Sequence, residues 1–422
     1  MGRNSLQLNF RIALRLLLSK RRAMLMSLAG IVFGVALLIV MLAQTSGFEG
    51  FFIRTILGTN GALRVQDRFQ ETVTSMVAAA EEDAGDTFEV ALREGQAYVQ
   101  GIQNPRQVLQ GVLAFDSVID ASPVLRGPVR VTSGFRSEEG RLHGIDAASY
   151  IAVSDLDRQI IQGSLDEFAV RPDGIILGSV LADRLGLRVG DPVLLRGAQE
   201  QRRFRLVAIF ESGIELVDRV HFYAHMREAR LVLNEFDSVS YIQVTLHDPD
   251  RAPEIAAHMS QVLGYHVASW QARERSWLEV FRALKLSSAI SMTTILIIAG
   301  LGMFNTLAII VMERAREIAI LRSFGYSRRD ILSIFLLQGV VVYVAGTLLG
   351  WLCAAVLTRV IESIPIRIRG IFSTDHFIMH WSFSHYLLAA AIAFVVVITA
   401  ALIPARRASL VEPGAVVRGT SG

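Results

Sequence analysis

Hydrophobic positions in this chain fall into four unbroken blocks around one alternating region. Ala23 to Ala43, Leu286 to Met312, Ile331 to Leu357 and Leu387 to Ile403 carry no charged residue, and about 20 apolar residues suffice to cross the hydrocarbon of a bilayer. Four spanning helices are predicted, the last the shortest. Ahead of them, Asn4 to Arg22 sets Phe10, Ala13, Leu14, Leu17 and Leu18 on one helical face, with Arg11, Arg15 and Arg22 mostly off it. That is the pattern of an amphipathic helix on a membrane surface, although the same residues also read as the charged start of the first span. Past Ala43, Gly47, Phe48, Phe51, Phe52, Ile56 and Leu57 prolong the first helix, and Trp277, Val280, Phe281 and Leu284 lead at helical spacing into the second. The two extensions predict a stalk.

Between the stalk segments, period-two and helical patterns alternate. Ala62 to Gln66 reads as a strand, Arg106 to Phe115 as a helix, Val118 to Thr132 as strand, turn and strand, and Ile175 to Leu185 as a strand entering a helix. Asp191 to Leu195 and Phe204 to Phe210 read as strands closed by a short hairpin at Gly197 to Arg202. His225 to Leu233 and Ala252 to Leu263 read as helices, Ser238 to Leu246 and Tyr265 to Ser269 as strands. The region is therefore an α+β domain, interrupted by an acidic, alanine-rich stretch from Glu71 to Glu94.

Composition agrees with a mixed membrane and aqueous architecture: 422 residues, 52% hydrophobic and 19% charged, with mean hydropathy +0.42. Charge sets the orientation, because Lys and Arg gather on the cytoplasmic side. Arg3, Arg11, Arg15, Lys20, Arg21 and Arg22 precede the first span; Arg314, Arg316, Arg322, Arg328 and Arg329 lie between the second and third; Arg406, Arg407 and Arg418 follow the fourth. Both termini are thus expected inside and the large domain outside. The first apolar run is too long for a signal-peptide core and no clear small-x-small cleavage site follows it, so it reads as an uncleaved anchor. The single cysteine, Cys353, lies in the third span, which leaves the outer domain to be held by its own core, large enough to be double. The pI of about 9.2 requires no nucleic-acid partner, since the arginines cluster where anionic lipid attracts them.

Catalytic motifs do not emerge. A P-loop needs a lysine after glycine, and neither Lys20 nor Lys285 follows one. A Gly-x-Ser-x-Gly elbow and a His-Glu-x-x-His zinc helix are also missing, so the chain reads as a non-enzyme with no metal or cofactor of its own. His221 and His225, or His376, His380 and His385, are the sparse alternatives for a metal; surface or interfacial histidines are the commoner reading. Gly30 and Gly34 in the first span, and Gly346 and Gly350 in the third, have the spacing that lets helices approach closely in lipid, within a bundle or between two copies.

The most regular polar segment is Glu313 to Arg329. Glu313, Arg316, Glu317 and Ile320 share one helical stripe, Ile318 and Leu321 an adjoining one, Gly325 supplies a stop and Ser327 to Asp330 restart a helix. It predicts a short helix held between two spans with charges available to a partner's groove, or else a surface helix whose charges face water.

ERAREIAILRSFGYSRRDILSIFLLQG, the later GTLLG and the terminal PARRASLVEPGAVVR resemble the permease subunits of ABC transporters of the FtsX/MacB type. PDGIILGSVLADRLGLRVGDPVLL with FRLVAIFESG is similar to that family's periplasmic core, and SGFEGFFIRTILG is similar to the lipoprotein-releasing permeases. The resemblance implies a cytoplasmic amphipathic helix at residues 1–22, a first spanning helix with stalk at 23–57, a periplasmic α+β domain at 58–272, and stalk with second span at 273–312. There follow a coupling helix at 313–330, the third span at 331–357, a periplasmic loop at 358–385, the fourth span at 386–404 and a cytoplasmic tail at 405–422.

It further implies a dimer with a second permease copy or paralogue in the inner membrane, above a pair of ATPase subunits that hold the ATP and magnesium. Force would enter through Glu313, Arg316, Glu317, Ile318, Leu321 and Gly325. Lipoproteins would enter a cavity faced by Thr45, Phe48, Phe51 and Phe52, residues that equally suit stalk-to-stalk packing. MacB-like export of peptides, toxins or drugs, through a periplasmic adaptor, and FtsX-like signalling are the other activities within the family. Two departures stand out. The hairpin at Gly197 to Arg202 is short where the chaperone-recruiting permease carries a long loop, and the acidic stretch after Arg68 is not part of the pattern.

Overall fold

The computed structural model describes residues 12, 13, 15, 21–67, 101–197, 200–368 and 374–411. Most of the predicted amphipathic helix, the acidic stretch, the tip of the short hairpin and the end of the terminal motif lie outside the described residues. The chain divides into two compact units. One contains the spanning segments; the other comprises Phe51–Leu278 and Ile366–Asp375.

The membrane unit is built on four helices long and apolar enough to cross a bilayer: Arg21–Asn60, Arg275–Glu313, Arg328–Glu362 and Phe383–Ser409. The first two run 40 and 39 residues without a break, well past their uncharged stretches. Small residues allow the helices to approach. A Cβ on Gly30 would lie 3.1 Å from Ala299, and one on Gly34 2.7 Å from Leu296, which joins the first helix to the second. Likewise Gly346 abuts Ile31, Gly350 abuts Val35, Gly300 abuts Val396 and Gly339 abuts Ala401. The core that results includes Ile31, Val35, Leu38, Leu296, Met303, Val342, Ala393 and Val397. In lipid, where apolar burial between helices gains little, such close contact is a main source of association. Ser27 and Thr306 add a hydroxyl pair at 3.0 Å.

The outer unit is organised by strands β1 (Leu63–Gln66), β2 (Ile102–Gln103), β3 (Val118–Ser133), β4 (Arg136–Ile145), β5 (Ile160–Gly163), β6 (Gly174–Gly178), β7 (Pro192–Arg196), β8 (Gln201–Phe210), β9 (His221–His225), β10 (Ser238–Val239), β11 (Tyr241–Leu246) and β12 (His266–Ser269). Ten of them form one mixed sheet in the order β12-β1-β11-β3-β4-β9-β6-β8-β5, with β7 against β3 and β8. Pairing is antiparallel except for β4 with β9 and β6 with β8. Two cores result. One gathers Leu63, Val65, Val244 and Trp270 under the helices Pro105–Leu113 and Ala252–Leu263. The second gathers Val131, Leu142, Leu177, Leu206 and Phe222 under Ser179–Leu185 and Met226–Leu233.

The expected strand, turn and strand at Val118 to Thr132 is instead the single 16-residue strand β3. It pairs with β11 up to Val124, with β4 from Leu125, and with β7 only from Arg130. Gly127 and Pro128 therefore sit where the strand is paired on one side alone, and a proline without an amide hydrogen is tolerated there. β4 itself, RSEEGRLHGI, is a strand that the polar sequence does not announce.

Candidate functional site

The polar loop between the second and third spanning helices is a short helix, Ala315–Ser323, fixed at both ends. Glu313 closes the second spanning helix and Arg314 turns the chain. Glu313 thus does not share the helix of Arg316, Glu317 and Ile320, which corrects the single stripe expected of these four. At the far end Gly325, with φ +99, lets the Tyr326 amide reach back to the Leu321 carbonyl at 3.2 Å, a left-handed stop that favours glycine. Ser327 and Asp330 then form a complete capping box for the third spanning helix, Ser327 Oγ accepting from the Asp330 amide at 3.2 Å and Asp330 Oδ2 from the Ser327 amide at 3.0 Å.

The two faces of this helix differ. Ile318 is 3% exposed and packs with Ile310 and Val311 of the second spanning helix, Ile331, Ile334 and Phe335 of the third, and Ala405 and Ala408 of the fourth. Leu321 lies partly buried against the same cluster, as do Ile12 and Val411. Arg316, Glu317, Ile320 and Gly325 face outward, with Arg314 ion-paired to Glu317. Arg322 turns inward, its guanidinium donating to the Val411 carbonyl. Ile318 and Leu321 consequently hold the helix to its own bundle. Phe324, 81% exposed beside the glycine stop, is the outward residue that the sequence reading missed; an aromatic next to a charged stripe was the available signal.

The predicted cavity residues divide between the units. Thr45, Phe48 and Phe52 follow one helix stripe, with Phe51 adjoining. The Thr45 hydroxyl donates to the Met41 carbonyl of its own helix at 2.9 Å. Phe48 and Phe51 are partly exposed. Phe52, by contrast, is 2% exposed and packs on Trp277 with ring centroids 5.5 Å apart. Near Thr45 the first helix approaches the segment before the fourth: the His380 amide donates to the Ala43 carbonyl at 3.0 Å, and Ser46 meets His385 Nε2 at 3.3 Å.

The histidines do not converge. His221 lies tilted against His143 with ring centroids 4.5 Å apart, whereas His225 stacks on Phe168 and reaches its carbonyl at 2.6 Å. His380 and His385 are 6.3 Å apart, and the side chain of His376 lies outside the described residues. Among the described residues, no three His, Cys, Asp or Glu side chains gather as a metal site would.

Comparison with known proteins agrees with this geometry. The FtsX-like permease C-terminal model matches residues 289–413, which include the short helix and its capped successor. The MacB-like periplasmic core domain model matches residues 24–262, more than half of the chain. The lipoprotein-releasing system transmembrane protein LolC of Xylella fastidiosa is 26% identical across 97% of this chain and 98% of its own length. LolE of the same system in Haemophilus influenzae is 23% identical across 93% of each. The macrolide export ATP-binding/permease protein MacB 2 of Aeromonas hydrophila is 23% identical across 96% of this chain but 59% of its own length. With four spanning helices and a large domain between the first two, the chain belongs to the FtsX-like permeases that carry a MacB-like periplasmic core domain.

Proposed function

We propose that this chain is the permease subunit of an ABC transporter that releases lipoproteins, or similarly lipid-anchored substrates, from the inner membrane by transmitting force from a separate ATPase. The observation that carries this reading is the end-to-end likeness to the lipoprotein-releasing relatives, 97% of this chain on 98% of LolC. Neither lysine of the 422 residues, Lys20 or Lys285, follows a glycine as a P-loop requires, which supports nucleotide binding by a different subunit. ATP and magnesium then belong to that partner.

The path of force follows from packing. A pair of ATPase subunits grips Arg316, Glu317, Ile320 and Phe324. Because Ile318 and Leu321 are packed against three spanning helices, displacing the short helix moves their ends together; close-packed contacts shift between discrete arrangements instead of yielding gradually. The cap at Ser327 and the stop at Gly325 keep the pushed segment from fraying. Both termini lie in the cytoplasm, on the same side as the ATPase, because the arginines gather there. A second permease, identical or paralogous, completes the entry site, in which acyl chains meet Phe48 and Phe51 and gain about 0.8 kcal/mol per buried methylene. The loop between β7 and β8 spans only residues 197–200, which argues against recruitment of a periplasmic chaperone through that loop.

The test is purification of the complex from its own cells and identification of what accompanies it. The reading predicts an ATPase subunit and acylated lipoproteins. Recovery of an adaptor tube with soluble peptides would favour MacB-like export, and a bound hydrolase would favour FtsX-like signalling.

A further inference from the structure

The outer unit carries an open cleft of about 850 Å³, within the range of small-molecule sites. Its two walls differ in chemistry. One is apolar, with Phe52, Ile56, Val217 and Trp277; the other presents Arg64, Arg126, Arg141 and Arg273 with His143 and His221. Only Glu215 and Glu274 bring acid to the lining.

Counter-charge on the basic wall is sparse: Glu274 acts on Arg273 and Arg64 through its field and without a direct ion pair. Arg64 lies 4.1 Å and Arg126 5.7 Å from the centroid of the same ring, Tyr241, so two guanidiniums gather at one aromatic side chain. Arg273 donates through Nη2 to the carbonyls of Asn60 at 3.1 Å and Gly61 at 2.8 Å. Its Nη1 is buried with no partner, as are Arg64 Nε, His221 Nδ1 and both ring nitrogens of His143. Among the described residues no carboxylate forms an ion pair with Arg64, Arg126, Arg141 or Arg273. The proton equilibria register the same field. Burial, and then Arg64, pull Arg273 down to about 9; burial, and then Arg126, Arg141 and Arg64, pull His221 down to about 3. Buried donors without acceptors are costly, and a cluster of them around a cavity is a binding feature more than a folding one.

We propose that this cavity binds an anionic amphiphile, a carboxylate or phosphate on an apolar chain, with Arg64 and Arg273 on the anionic group and Phe52, Ile56 and Trp277 against the chain. Guanidinium suits both oxyanions, because its planar fork donates two parallel hydrogen bonds. The apolar wall distinguishes this ligand from a bare anion, which would leave the aromatic rings uncovered. The site uses residues of the outer unit alone.

The test is calorimetric titration of the full chain in phosphatidylcholine nanodiscs, with empty nanodiscs as blank, using octyl phosphate, octanoate, octanol and inorganic phosphate. Saturable binding of octyl phosphate or octanoate at a single site is expected, with octanol and inorganic phosphate at least about tenfold weaker, the scale of one charged hydrogen bond. The tighter of the two anions identifies a phospholipid-like or a fatty-acid-like ligand. Arg64→Gln should weaken binding by about tenfold or more. Because Arg273 also holds the end of the first spanning helix, Arg141→Gln on the exposed wall serves as the second variant and should weaken binding severalfold. Equal binding of octanol, unchanged binding by both variants, or absence of saturation would overturn the proposal. Displacement of octyl phosphate by a glutamate-rich peptide that itself binds more tightly would overturn it in favour of an acidic peptide.

Discussion

Lys285, one of only two lysines in the chain, donates its ammonium to the Glu49 carboxylate, joining the first and second spanning helices where each leaves its uncharged run. Both side chains are partly buried, 36% and 20% exposed. Lys285→Ala should lower stability by about 0.5–1 kcal/mol, and the exchanged pair Glu49→Lys with Lys285→Glu should recover most of what either single reversal loses. Thermal unfolding of the four proteins in detergent gives the coupling. Additive losses would mean that the pair contributes nothing.

Glycine contacts within the bundle make a sharper steric prediction. A Cβ on Gly350 would lie 2.8 Å from Val35 Cγ1 and 2.9 Å from its Cβ, while a Cβ on Gly302 would meet nothing within 4 Å. Gly350→Val should cost about 1–3 kcal/mol by overpacking. Gly302→Ala should be neutral or slightly stabilising, by up to about 1 kcal/mol, from helix propensity. Similar melting temperatures for the two variants would contradict the packing.

Buried histidines give the outer unit a pH dependence of definite sign. His143 is held well below the ordinary histidine range by burial and then by His221 and Arg126, and His221 is lowered to about 3. Both stay neutral in the fold but charge in the unfolded chain, so their contribution is complete above about 6.5 and is lost as pH falls toward about 3. Asp218, pushed up to about 6 by burial, acts in the opposite sense: its contribution is complete below about 4 and is lost as pH rises through about 6. The double variant His143→Gln with His221→Gln should lose less stability than the parent between pH about 7 and about 5. Parallel melting curves across that interval would contradict this assignment.

How much was legible in the chain depends on how local each feature is. The spanning helices follow from uncharged runs, and the cap at Ser327 and stop at Gly325 from residues three or four apart. The inward turn of Ile318 beside the outward Glu317 follows from one helical period. β3 was misread because Gly127 and Pro128 mark turns in most sequences; here the strand changes partners around them. The basic cavity was invisible for a different reason. Arg64, Arg126, Arg141 and Arg273 are distant in sequence and meet only because the strand order places β1, β3 and β4 in one sheet with the end of the first spanning helix beside them.

Phe48 and Phe51 are the partly exposed aromatics proposed to meet acyl chains. Phe48→Asp or Phe51→Asp should abolish lipoprotein release while leaving the complex assembled, because a charge among acyl chains costs several kcal/mol, by order of magnitude. Release at the parental rate by both variants would point to a different entry route.

As proposed above, this polypeptide passes ATP-driven force from the short helix Ala315–Ser323 to its outer unit. Proteoliposomes holding the permease pair, the ATPase and an acylated lipoprotein test it directly, with release and ATP hydrolysis measured together. The account predicts that Glu317→Arg leaves the complex intact and hydrolysis running while release falls by about tenfold or more, the effect of losing roughly 1.4 kcal/mol of coupling, and that omitting the ATPase stops release altogether. Undiminished release by Glu317→Arg, or release without the ATPase, would contradict it.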